Sequence, residues 1–138
     1  MSQRIMIVED DHHVATLLRY NLEAAGFVVE HHVCGRDIVR RIEEEAPDLV
    51  LLDWMLPGIS GIELCRRIRR LKDGAELPII MLTARTANGD GEFARMVGAN
   101  AFLTKPFEIS EVLSKARCLL DPEARRGSRA RVSVTPRS

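Results

Sequence analysis

Four polar positions each end a short apolar run: Glu9-Asp10-Asp11 after Ile5-Met6-Ile7-Val8, Asp53 after Leu49-Val50-Leu51-Leu52, Thr83 after Ile79-Ile80-Met81-Leu82, and Lys105 after Ala101-Phe102-Leu103-Thr104. Together they hold the groups that manage a divalent cation and a phosphoryl group. Mg²⁺ takes oxygen ligands in near-octahedral geometry and binds through one or two carboxylates plus phosphate oxygens; Asp10 and Asp53 can supply the carboxylates. A charged residue flush against four aliphatics needs a partner or a metal, and such a carboxylate can also be a nucleophile that forms an aspartyl phosphate. Lys105 precedes Pro106, and X-Pro bonds are the ones that adopt cis at appreciable frequency. A cis bond would turn the lysine back over the pocket, where its ammonium neutralises a phosphoryl oxygen as a point charge. The Thr83 hydroxyl can donate to another phosphoryl oxygen, and transfer itself needs positioning and charge stabilisation more than covalent machinery. Taken singly, Thr83 is a β-branched strand end, Lys105 a loop charge and Glu9-Asp10-Asp11 a solvated turn. Their joint occurrence at the ends of four runs favours chemistry.

These positions converge only if the runs are neighbouring strands of one sheet. Buried parallel strands read as short continuous apolar runs. Stretches with helical periodicity separate them, so the pattern is a repeated β-α unit with a parallel sheet. Ligands of such a sheet sit beyond the carboxyl ends of its strands, where all four polar positions fall. Val14, Leu17, Leu18 and Leu22 give His13 to Ala25 one apolar face, closed by Gly26 as a C-cap. Val28 to His31 reads as a second strand, followed by a helix around Ile38 to Glu45 that Pro47 ends. Ser60 can N-cap a helix through Leu71 with Glu63 in the capping-box position, and Ser110 opens another to Leu120. The expected architecture is α/β, with five strands and five helices in alternation. The fourth helix should be short, late or mobile, because Thr86 to Gly91 carries two glycines, each costing about 1 kcal/mol inside a helix.

The chain has 138 residues, 46% of them hydrophobic, enough for one domain with a real core. Lys plus Arg and Asp plus Glu stand at 20 each, so no global charge points to nucleic acid or a membrane. The opening Met1-Ser2-Gln3-Arg4 leads straight into a short strand, which argues against a signal peptide or membrane span and for a cytoplasmic protein. Cys34, Cys65 and Cys118 have neither metal-ligand nor redox spacing and read as reduced, partly buried residues. His12-His13 and His31-His32 are adjacent pairs, and the reading is surface histidines, with His12 nearest the pocket. Trp54 follows Asp53 on a pleated strand and should point away from it into packing. After residue 121 the chain turns Arg-, Ser- and Pro-rich, so residues 1–121 are expected to form the domain and 122–138 a flexible tail or linker stump.

In its motifs the chain resembles the CheY-like receiver domain of bacterial two-component response regulators, and within that family the OmpR/PhoB-like branch. The matching segments are Ile7-Val8-Glu9-Asp10-Asp11, Leu51 to Gly58 with Gly61, Met81-Leu82-Thr83-Ala84-Arg85, and Gly98-Ala99 through Lys105-Pro106-Phe107. The resemblance implies a flavodoxin-like, doubly wound five-stranded parallel sheet of strand order 2-1-3-4-5. It implies that Asp53 accepts phosphate from a sensor histidine kinase, and that Glu9, Asp10, Asp53 and the backbone carbonyl of Met55 organise Mg²⁺. Lys105 and Thr83 would serve the phosphoryl group. Thr83 and Phe102 match the family's switch pair, although Phe102 lacks the hydroxyl of the tyrosine often found there. Met55 and Arg85 match the variable positions that flank the phosphoryl group. Such a chain is a phosphoacceptor rather than an enzyme, with only self-phosphorylation from small donors and self-dephosphorylation expected.

The output is the open part of the reading. An OmpR/PhoB-like regulator would carry a winged-helix DNA-binding domain of about 100 residues beyond the receiver, and this chain has no segment for one. It is read as the N-terminal part of such a regulator, touching DNA only through an output domain absent from this chain. The alternative is a stand-alone receiver that binds another protein or shuttles phosphate. A phosphatase with an aspartyl nucleophile would place a second acid two residues on, where Met55 stands. Active members of the branch pair through the fourth helix, fifth strand and fifth helix by complementary charges. Glu111, Lys115 and Arg117 retain charges, but Gly91, Val97 and Ala101 stand where partners would often be, so a weaker or atypical homodimer is expected.

Overall fold

The computed structural model describes residues 2–83 and 98–121. Five parallel strands, β1 (Arg4–Val8), β2 (Val28–His32), β3 (Leu49–Asp53), β4 (Ile79–Thr83) and β5 (Ala101–Thr104), form one sheet in the order β2-β1-β3-β4-β5. The described helices are α1 (His12–Ala24), α2 (Ile38–Glu44), α3 (Gly61–Arg70) and α4 (Ile109–Leu120), with a 3₁₀ turn at Lys72–Gly74. This is the expected α/β architecture and strand order. The expected helix after Thr83, with the Gly-rich stretch, Arg85, Gly91 and Val97, lies outside the described residues, as does the tail 122–138. None of the described helices is long and apolar enough to cross a membrane.

Strand alternation divides the core in two. Met6, Val8, Val50, Leu52, Ile79 and Met81 face α2 and α3, where Ile38, Ile42, Ile62, Cys65 and Ile68 cover them. Ile5, Ile7, Leu49, Leu51, Ile80, Leu82 and Leu103 face α1 and α4, under Leu18, Leu22, Val112, Ala116 and Leu120. The three inner strands are thus apolar on both faces, as a sheet covered on both sides requires. Asp53 and Thr83 end two of these strands, and Glu9 follows the third.

The helix ends differ from the sequence expectation by a residue or so. Asp11 caps α1 by accepting from the amides of His13 (2.9 Å) and Val14 (3.3 Å), so the helix starts at His12 rather than His13. It ends at Ala24, one residue early, with Ala25 as the cap, and Gly26 closes it as expected: Gly26 adopts φ 101°, its amide bonds to Glu23 O at 3.0 Å, and the Phe27 amide bonds to Leu22 O at 3.1 Å. Leu17, expected on the packed face, is half exposed, because the buried stripe of α1 runs through Ala15, Leu18 and Leu22. Helix α2 ends at Glu44, one residue early, and β2 runs one residue longer, to His32. Ser60 caps α3 by accepting from the Glu63 amide at 3.2 Å, and the helix ends at Arg70, with Leu71 extended. Helix α4 begins at Ile109, not Ser110, because Glu108 is the capping residue and the Glu111 carboxylate accepts its amide at 3.1 Å. None of the three cysteines forms a disulfide; Cys65 is fully buried, which pushes its thiol pKa up, Cys34 is half-buried and Cys118 is exposed, not partly buried as expected.

Candidate functional site

Asp53 is the last residue of β3 and is nearly buried, as its run of aliphatics implies. One glycine lets the next helix approach it. A Cβ at Gly61 would run into the Asp53 carbonyl oxygen, and the Gly61 amide bonds to Trp54 O at 2.9 Å. The Trp54 amide continues the sheet to Leu82 O at 2.8 Å, and its half-buried ring packs on the α2/α3 side of the core, as the pleat predicts. The chain then folds back, so that the Met55 amide donates to Asp53 Oδ1 at 3.3 Å while the Met55 side chain is exposed.

Glu9 and Asp10 follow β1. Glu9 is wholly buried, and its Oε2 accepts the Asp11 amide at 3.0 Å, which shapes the turn into α1. The carboxylates of Glu9, Asp10 and Asp53 each place a ligand oxygen within 4.8 Å of the others. Two are buried and one is exposed. The donor set is therefore all oxygen, acidic and open on the Asp10 side, which fits a hard divalent cation that keeps several waters.

Lys105 answers part of this negative charge. The Lys105–Pro106 peptide bond is cis, as the sequence reading anticipated. The Lys105 amide donates to Thr83 O at 2.6 Å, fixing the loop to the end of β4. Its ammonium lies 2.8 Å from Glu9 Oε1 and 3.5 Å from Asp53 Oδ1. Burial would lower its pKa, but the Glu9 hydrogen bond and the Asp53 charge outweigh that and raise it. Burial pushes Asp53 up to about 7, reinforced by the charge of Glu9 and only partly opposed by Lys105. One ammonium thus stands against three neighbouring carboxylates.

Thr83 is buried at the end of β4, one residue beyond the Leu82 that pairs with Asp53, and is in register with Thr104. Phe102, on β5, pairs with Met81 of β4 and packs, half-buried, on the α2/α3 core. The structure thus sets Lys105 against Glu9 and Asp53, groups Asp10 with those two acids within 4.8 Å, and sets the Thr83 backbone against Lys105. Arg85 lies outside the described residues. The histidine reading needs correction. His12 and His13 are exposed, but His31 and His32 are half-buried and bonded: His31 Nε2 lies 2.8 Å from Glu9 O, and His32 Nε2 2.6 Å from Glu30 Oε2. Both follow from the length of β2, whose last residues run alongside the end of β1. Burial would raise Glu30, yet His32 and Arg41 more than offset this and lower its pKa.

Comparison with known proteins agrees with this geometry. Residues 5–117 match the family described as response regulator receiver domain. Over 120 residues the chain is 45% identical to the phosphate regulon transcriptional regulatory protein PhoB of Rhizobium meliloti, covering 87% of this chain and 53% of that protein. It is 38% identical to the alkaline phosphatase synthesis transcriptional regulatory protein PhoP of Bacillus subtilis, covering 87% and 49%. The chain spans about half the length of the curated relatives it matches. Among solved structures, the receiver domain of a sensor histidine kinase from Pseudomonas aeruginosa, with magnesium coordinated in its active-site cleft, superposes with TM-score 0.80 at 32% identity, covering 87% of this chain and 98% of that one. The chain therefore belongs to the response regulator receiver family, as an OmpR/PhoB-like, CheY-like member.

Proposed function

We propose that Asp53 accepts a phosphoryl group from the phosphohistidine of a sensor kinase, with Glu9, Asp10, Asp53 and the backbone carbonyl of Met55 holding Mg²⁺. The observation that carries this reading is the placement of Lys105, 96 residues from Glu9 in sequence, with its ammonium on both Glu9 and Asp53. An Asp53 oxygen attacks phosphorus, the bond from phosphorus to the donor nitrogen breaks, and the freed imidazole takes a proton from solvent. Mg²⁺ bound by these residues would supply positive charge that favours ionised Asp53 and offsets the charge of the incoming phosphoryl group. Lys105 moves its charge onto a phosphoryl oxygen, and the Thr83 hydroxyl donates to another. Phe102 then rotates inward behind Thr83, carrying the change to the surface of β5. Because the named relatives are transcriptional regulators, the chain is read as the receiver part of one, acting on DNA through an output domain.

Beryllofluoride with Mg²⁺ tests the site. Trp54 fluorescence should change on adding both, and the change should vanish in Asp53→Asn and in Asp10→Ala. A full response in either variant would remove the assignment.

A further inference from the structure

Glu9 has four polar groups, and each has a partner. Its amide donates to His32 O at 2.9 Å, Oε1 accepts from Lys105 at 2.8 Å, and Oε2 accepts the Asp11 amide at 3.0 Å. The fourth, its carbonyl oxygen, lies 2.8 Å from Nε2 of His31. A carbonyl oxygen can only accept, so Nε2 bears the hydrogen, and the neutral ring keeps its lone pair on Nδ1. His31 sits on the edge strand β2, in register with Ile7, and its side chain reaches forward to the first carbonyl beyond β1. The His12 ring stands edge-on to it, with centroids 6.2 Å apart and planes at 88°, which limits how far the His31 ring can swing.

We propose that His31 is a positioning residue for the metal site: its Nε2–H bond to the Glu9 carbonyl holds the Glu9-Asp10 backbone so that both carboxylates face Asp53. This rests on the Mg²⁺ reading given above. The other three bonds of Glu9 fix its amide and its carboxylate, but leave the peptide plane leading into Asp10 free to tilt. That plane aims the exposed Asp10 carboxylate, which has no burial to hold it. Partners that orient metal ligands in this way change metal affinity about ten-fold or more when they bond the ligand atom itself. A partner acting through the backbone should act less strongly.

The test is Mg²⁺ titration, by calorimetry and by Trp54 fluorescence, of the full chain and of His31→Gln, His31→Phe, His31→Met and Asp10→Ala. Phe keeps the ring bulk and Met the reach, both without a donor, whereas Gln restores an N–H. Whichever of the Phe and Met variants retains the wild-type melt should bind Mg²⁺ about three- to ten-fold more weakly, while Gln stays close to wild type. With acetyl phosphate, the Mg²⁺ concentration for half-maximal modification should rise in step while the rate at saturating Mg²⁺ holds. Unchanged affinity in the donorless variants, or an equal loss in Gln, would overturn the proposal. A wild-type Mg²⁺ response that persists in Asp10→Ala would overturn the Mg²⁺ reading and this inference with it; a response lost in Asp10→Ala that the His31 variants leave untouched overturns this inference alone.

Discussion

The ammonium of Lys105 lies 2.8 Å from Oε1 of Glu9, a residue with no exposed surface. This pair joins the loop after β5 to the end of β1 across the sheet. Losing the cation leaves a buried carboxylate beside Asp53 with no positive charge at contact distance among the described residues. Lys105→Met should therefore destabilise the metal-free protein by about 2 kcal/mol, below the usual cost of breaking a fully buried pair because the lysine retains some exposure. Millimolar Mg²⁺ should recover part of the loss. Urea denaturation with and without Mg²⁺ is the check, and an unchanged midpoint would show that the pair contributes nothing.

Asp53 makes stability depend on pH in a defined direction. Its folded pKa is raised from the model-compound 3.8 to about 7, so across that window the folded state binds more protons than the unfolded one. Stability from this group is full below the unfolded value and is lost as pH rises toward the folded value. Asp53→Asn removes this dependence. The metal-free variant should gain on the wild type from acid to neutral pH, by about 2–4 kcal/mol in all, and the advantage should level off above pH 7. Mg²⁺ should shrink the difference. A constant difference across the window would show that Asp53 is not the group involved.

Gly61 bears on the backbone of the same residue. Because a Cβ there meets the Asp53 carbonyl oxygen, Gly61→Ala should cost about 1–3 kcal/mol and slow modification by acetyl phosphate. Thermal melting together with the modification rate checks both. Wild-type behaviour in both would mean that the start of α3 can withdraw freely.

Much of this site was legible in the sequence because it depends on where strands end. A run of aliphatics followed by an acid, a hydroxyl or a lysine marks a strand terminus whatever the register, so the strand ends at Glu9, Asp53, Thr83 and Lys105 can be read without any contact being known. His31 cannot be read this way. Its role depends on β2 running parallel to β1 in the register Ile7↔His31, and two adjacent histidines carry no periodicity that reveals it. The same reason explains the helix starts. Asp11 and Glu108 cap α1 and α4 from positions that charge alone does not separate from their neighbours, and only the hydrogen bonds to His13, Val14 and Glu111 single them out.

Assembly follows from the surface of α4. Glu111, Lys115 and Arg117 are exposed there, and the Glu111 carboxylate is engaged by the Glu108 amide. Exposed charges without fixed partners contribute about 0–1 kcal/mol each, so the beryllofluoride-activated chain should stay monomeric or pair weakly. Sedimentation velocity with and without beryllofluoride reads this directly. A tight, salt-sensitive dimer formed only on activation, and lost on Lys115→Glu, would contradict it.

The most direct measurement is where a phosphoryl group attaches. The chain is incubated with acetyl phosphate and Mg²⁺, trapped by borohydride reduction of the acyl phosphate, and mapped by peptide mass spectrometry. The expected result is one modified residue, Asp53, in a Mg²⁺-dependent reaction that Asp53→Asn abolishes and Lys105→Met slows. Modification that persists in Asp53→Asn, or that appears elsewhere in the wild-type chain at the same rate, would contradict the assignment of Asp53 as the phosphoacceptor.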